Sequence, residues 1–199
     1  MGRESAVRLV SWNAGGMRAI AAVLALAGLA AGCALAGRRV RLLYSESKNV
    51  ARAERKTPLA VMPFLDKRED RASLGHAPWA AGLLKMPLRA KTEVAAWAAG
   101  ALSGDLASAG YRIQEDADWK AGGAVRKISC GGAKRALCVV EIEGWLRMKD
   151  NWQVLRRDYR GEGARPALFP DEDPYELSLE EALREALTAF RKEIELAVP

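Results

Sequence analysis

Leu137-Cys-Val-Val-Glu-Ile-Glu-Gly-Trp-Leu-Arg-Met148, then Lys149-Asp150-Asn151, then Trp152-Gln-Val-Leu-Arg-Arg-Asp-Tyr159, carries the pattern of two paired strands. Val140, Ile142 and Gly144 alternate with Glu141, Glu143 and Trp145, the period of two that puts one face of a strand in a core and the other in water. Gly144 marks a candidate bulge within it. The Asp150-Asn151 step suits a tight turn, so the two runs pair as a hairpin, with Trp152 to Tyr159 or slightly beyond as its second arm. Ala124 to Cys130 supplies a third strand just upstream.

Downstream, a loop over Gly161 to Pro174 leads to Ser178 and Glu181, spaced as a Ser-x-x-Glu capping box. Leu179, Ala182, Leu183, Ala186, Leu187, Phe190 and Ile194 then share one helical face. Upstream, Thr92 is a candidate cap for a helix in which Val94, Trp97, Ala101, Leu102, Leu106 and Ala109 recur until Gly110 closes it. Tyr111 to Gln114 reads as a strand entered from that turn. Pro58-Leu-Ala-Val-Met-Pro-Phe-Leu65 reads as another, ended by the mixed-charge run Asp66 to Asp70, which reads as a solvated turn. Between them, 72–90 lacks a clear period and reads as a long loop, with Trp79, Leu83, Leu84 and Met86 available to pack it down or to meet a partner. The order predicts an α+β fold: a two-layer sandwich whose mixed or antiparallel sheet of about five strands carries two main helices on one face.

The chain has 199 residues, half of them apolar and about a quarter charged, enough for one domain with a real core. Its formal charge is +6. Arg3, Arg8 and Arg18 lie outside the domain and the remaining cations are interspersed with acids, so no nucleic-acid footprint is expected. From Met17 the sequence has one basic residue, an apolar run from Ala19 to Ala31, then Gly32-Cys33. Such a run spans roughly 20 Å as a helix, too short for a permanent membrane span, and is laid out as a signal peptide. Leu29-Ala-Ala-Gly-Cys33 resembles the lipobox of bacterial lipoprotein precursors, although Ala30 stands where leucine is commoner. The resemblance implies cleavage after residue 32 and lipidation of Cys33. The alternative is an ordinary signal peptidase site with Cys33 incidental. Residues 1–16 either belong to the signal or precede a start at Met17. Ala34 stands where an aspartate would oppose transport to the outer membrane, which points towards that membrane. Residues 33–56 read as a lipid-anchored tether, with Arg38, Arg39 and Arg41 near anionic headgroups or solvated, and 57–199 as a single periplasmic domain.

No catalytic constellation is evident. His76, the single histidine, lies in the long loop, and no Gly-x-Ser-x-Gly turn accompanies it. Cys130 and Cys138 have no companion pair for zinc, and Gly122-Gly123 and Gly131-Gly132 lack the rest of a phosphate loop. Asp171-Glu-Asp173 does not match a calcium loop. Neither metal nor cofactor is therefore expected. In an oxidising periplasm Cys130 and Cys138 are a candidate disulfide, the alternative being two buried thiols. Of the six tryptophans, Trp97 belongs to the helix stripe, whereas Trp79, Trp119 and Trp152 lie in or beside loops.

Val61-Met-Pro-Phe-Leu-Asp66-Lys-Arg68, the helix ending Ala109-Gly110-Tyr111 and the closing strands and helix resemble the YajG-type envelope lipoproteins and the related group that includes the N-terminal domain of TolB. The likeness runs from about Thr57 to Leu196 and rests on pattern and on the short Pro-Phe-x-Asp-x-Arg string. It implies binding or assembly rather than a reaction: a lipid-anchored protein holding another envelope component, through the 72–90 loop and the sheet face left open by the helices. The competing expectation is an auxiliary lipoprotein of a lipid or solute transport system with an apolar ligand pocket.

Overall fold

The computed structural model describes residues 37–45, 57–79, 84–149, 152–166 and 173–199. They form a two-layer α+β fold with a mixed sheet, nine-stranded among the described residues, and two helices on one face. The strands are β1 (Arg38–Val40), β2 (Pro58–Val61), β3 (Leu65–Asp66), β4 (Gly75–Trp79), β5 (Leu84–Ala90), β6 (Arg112–Ile113), β7 (Trp119–Gly131), β8 (Arg135–Met148) and β9 (Trp152–Pro166). Helix α1 (Val94–Ser108) lies between β5 and β6, and α2 (Pro174–Ala197) follows β9.

The stretch from Leu137 to Tyr159 folds as its alternation predicts. β8 pairs antiparallel with β7 on one side and β9 on the other, with Val125, Ile142 and Tyr159 in line on the helix-covered face. The turn at Asp150-Asn151 lies outside the described residues. The bulges fall between Val125 and Lys127 and between Leu146 and Arg147 rather than at Gly144. Gly144 instead makes room for Phe190 and Tyr159, whose rings lie 5.1 Å apart. On its other edge β7 is met in turn by β2, β3 and β4, all parallel to it, so this one long strand organises the sheet.

β9 runs on to Pro166 where a loop was expected from Gly161. Gly161 and Gly163 face α2 there, and the helix backbone sits so close that no side chain would fit. The helix also begins earlier than its Ser-x-x-Glu signal. Asp173 is the cap, its Oδ1 accepting from the Tyr175 N–H at 3.0 Å, and Pro174 occupies the first turn. Ser178 is fully buried and its hydroxyl donates to the carbonyls of Ala136 and Pro174. On α1, Glu93 rather than Thr92 holds the cap position, without a side-chain hydrogen bond, while Gly110 closes the helix at φ 92° as expected.

Two further differences bear on function. Within 72–90, β4 pairs antiparallel with β5, in which Leu84, Met86, Leu88 and Ala90 alternate with Lys85, Pro87 and Arg89; residues 80–83 lie outside the described residues. The tether expected over 33–56 is also shorter, since 37–45 belongs to the domain. β1 pairs in parallel with β5, and Val40 and Leu42 join the core. Residues 33–36 and 46–56 lie outside the described residues. No described helix is long and apolar enough to cross a membrane.

Candidate functional site

The N-terminal segment is fastened to α2 by carboxylates contributed from 135 residues away. Arg38 pairs with Asp173 at 2.9 Å and lies over the Tyr175 ring. Arg41 pairs with Glu176, which also accepts the Arg41 backbone N–H at 2.8 Å. Glu180 accepts from the Ser45 N–H at 2.8 Å. Both glutamates are buried, and a buried carboxylate needs such donors. The Trp97 indole N–H donates to the Leu43 carbonyl at 2.9 Å, tying the segment to α1 as well. Tyr44 reaches a buried cluster in which Asp105 of α1 faces Arg191 of α2 at 3.1 Å. Burial pushes the Asp105 carboxyl up, against the opposing pull of Arg191.

Cys130 and Cys138 sit directly opposite each other on β7 and β8, with Cα atoms 4.2 Å apart, and form a disulfide. Both are buried. A disulfide fits an oxidising, extracytoplasmic environment. It closes the end of the hairpin whose turn is held by the Tyr175 hydroxyl, which donates to the Gly132 carbonyl at 2.9 Å.

The same end of the sheet carries the residues expected to meet a partner. Trp79 ends β4; Leu84 opens β5 with its side chain 50% exposed; Met86 is half-buried. Leu83 lies outside the described residues, as does Cys33. His76 is exposed on β4, and the cleft of about 350 Å³ beside it is lined by Ala77, Pro78, Leu84, Lys85 and Cys130. The structure therefore gathers Leu84 and Met86 on a strand with the disulfide nearby, a juxtaposition that a loop reading could not supply.

The face of β7, β8 and β9 turned away from the helices is the second surface expected to meet a partner. Its centre is Glu143, nearly buried, which accepts from Arg126 of β7 and from Arg156 of β9 at 3.1 Å. Burial raises the Glu143 carboxyl, but the two guanidiniums outweigh it and hold it below the usual carboxylate range. Arg147 lies 4.5 Å over the Trp145 ring. Trp152, 71% exposed, pairs with Met148 and so belongs to the row of Ile142 and Leu146 rather than to this face. Shallow clefts of about 280 and 510 Å³ flank Arg126, lined by Glu141, Asp158 and Arg160 on one side and Lys67, Glu69 and Lys127 on the other. The alternation that placed Val140 and Ile142 inside also places Glu141, Glu143 and Trp145 here, opposite Asp158 and Arg156 of β9.

The Asp66 to Asp70 run is only partly the solvated turn expected of it. Arg68 is buried, gripping Asp66 at 2.9 Å and donating to the carbonyls of Arg71 and Ser73. A guanidinium with those partners shapes the loop into β4 rather than presenting charge to a ligand. Among the described residues no group of three or more His, Cys, Asp or Glu is placed to hold a metal ion.

No family model and no curated protein matches this chain. Solved structures do. The crystal structure of protein XCC0632 from Xanthomonas campestris, described as family-model DUF330, is 14% identical over 80% of this chain and 95% of its own, with a TM-score of 0.59. A crystal structure of an uncharacterized protein is 10% identical over 80% of this chain and 97% of its own, with a TM-score of 0.49. The chain thus shares its fold, over most of its length, with the Xanthomonas protein.

Proposed function

We propose that the protein is a non-catalytic lipoprotein of the bacterial envelope, anchored through Cys33 and facing the periplasm from the outer membrane. There it holds another envelope component on the open face of β7, β8 and β9. One observation carries the binding role: the three longest strands have one face covered by helices and the other bare, polar and pre-organised around Glu143. The face carries arginines and Trp145, residue types enriched at protein interfaces. The anchor rests on the Leu29 to Cys33 string, and the disulfide agrees with an oxidising compartment.

The test joins intact mass to crosslinking. Protein from the membrane fraction is weighed beside a Cys33→Ala variant, and a photo-crosslinker is placed at Val154 on the open face and at Glu185 on α2. The expected result is a chain beginning at Cys33 with added acyl mass, lost in the variant, and discrete adducts from position 154 alone. A soluble, unmodified chain would sink the anchor. Equal crosslinking from both positions would sink the open-face assignment. Co-purified lipid without a protein adduct would favour the transport-auxiliary reading.

A further inference from the structure

The position of β1 decides which end of the domain meets the lipid, if Cys33 is the anchor. β1 runs parallel to β5 with Arg38 opposite Leu88, so the chain enters the fold from the Leu84 end of the β4–β5 hairpin. Gly37 sits at the level of Pro87; a Cβ there would lie 2.9 Å from the Pro87 carbonyl oxygen. From Cys33 to Gly37 the chain reaches at most about 14 Å. The long tether expected from the sequence would have let the domain tumble freely; a reach this short keeps the entry point within a headgroup layer or two of the bilayer.

What stands at that end suits an anionic lipid surface. Leu84 lies three residues beyond Pro87, about 10 Å further along the strand, and half of its side chain is exposed. Leu137, on β8 beside the β7–β8 turn and separated from β5 by β4 and β7, is 51% exposed. Lys85 is exposed next to Leu84, and Lys134 and Arg135 are exposed just before Leu137, while Asp173 is already engaged by Arg38. Exposed leucines beside cations match the interfacial zone of a membrane, where apolar tips enter the acyl boundary and cations meet phosphates. The opposite end of β8, at Lys149, is about 45 Å away.

We propose that the Leu84 end of the β4–β5 hairpin, with Leu137 and the surrounding cations, seats on the anionic membrane surface beside the lipid anchor. The contact fixes the domain's orientation, with the strands rising from the bilayer and the open face of β7–β9 standing to one side, clear of the lipid. This inference rests on lipidation at Cys33 for its geometry, yet its contact can be read separately.

The experiment places an environment-sensitive fluorophore on Leu84→Cys, or on Lys149→Cys as the distal control, in full-length protein recovered from cell membranes. The protein is reconstituted into phosphatidylglycerol and phosphatidylethanolamine vesicles. The expected result is a blue-shifted Leu84 probe quenched by a lipid-borne quencher and several-fold less accessible to iodide than the Lys149 probe. The contrast should shrink in vesicles of phosphatidylcholine alone. A Leu84 probe open to iodide, or shielded by a crosslinkable protein rather than by lipid, overturns the proposal. Intact mass of the same sample reports the anchor. Should it show no acyl group, the chain is added to preformed vesicles and the same two quenchers are read. Failure of the anchor and failure of the hairpin contact therefore give different results.

Discussion

Gly161 and Gly163 bring β9 against the backbone of α2. A Cβ on Gly161 would lie 2.0 Å from the Ala182 carbonyl oxygen, and one on Gly163 would lie 1.9 Å from that of Ser178. Both obstacles are helix backbone, which cannot rotate aside as a side chain can. Gly163→Ala should therefore push α2 off β9 and cost about 1–3 kcal/mol or more in urea denaturation. Gly100, on the exposed side of α1, would meet nothing within 4 Å. Gly100→Ala should instead stabilise by about 0.5–1 kcal/mol, since the helix loses a flexible residue and gains no clash. Equal effects at the two sites would show that packing against the helix backbone is not what selects glycine on β9. Glu143 makes the second residue-scale argument. Its carboxyl is held below its ordinary value by Arg126 and Arg156, so its charge adds stability that is fully present above the unfolded value of about 4.3 and is lost as pH falls through the lower folded value. Glu143→Gln should be less stable than the parent at pH 7, with the gap closing below about pH 4. A gap that stays constant across that range would mean the two guanidiniums contribute through hydrogen bonding alone.

At the scale of elements, the sequence was most legible where the period was clean and least so where remote partners decide. β8 and the face of α2 follow directly from spacing in two and in 3.6, and both helices, the two-layer class and their shared side of the sheet came with them. The cap of α2 was misplaced because Ser178 fits a capping box, yet it is committed to the Ala136 carbonyl across the sheet. That partner is invisible in a local window. The β4–β5 hairpin was hidden by Pro78 and Pro87, which usually argue against a strand, although the alternation from Leu84 to Ala90 was present. β4 tolerates Pro78 because, beyond Gly75, it has outrun β7 and pairs with β5 alone. Of the candidate site residues, Cys130 and Cys138 were legible as a pair. Glu143 was not, since its neighbours Arg126 and Arg156 come together only when three strands align.

For the molecule as a whole, the question is whether 37–45 is tether or fold. Its residues alternate as Val40, Leu42 and Tyr44 inward with Arg39, Arg41 and Leu43 outward, but three residues of each kind are a weak signal beside a cluster of arginines. What makes the segment structural is distant. Leu88 and Trp97 provide its apolar floor, while Asp173, Glu176 and Glu180 accept its donors. A chain beginning at Gly37 should unfold cooperatively with the stability of the longer form. A chain beginning at Thr57 gives up the burial of Val40 and Leu42, worth about 3–6 kcal/mol together. It also leaves Glu176 and Glu180 buried without the backbone N–H groups that satisfy them, which adds to the loss. Against a total of about 5–15 kcal/mol for a domain, that is enough to leave the shorter chain marginal or unfolded. Urea denaturation of the two chains decides the point. Coincident midpoints would return 37–45 to the role of a tether, and with it the freedom of the domain to stand away from the membrane. A large shift means that the fold begins at 37–45, four residues after Cys33, so that the anchor proposed at Cys33 would join the fold directly.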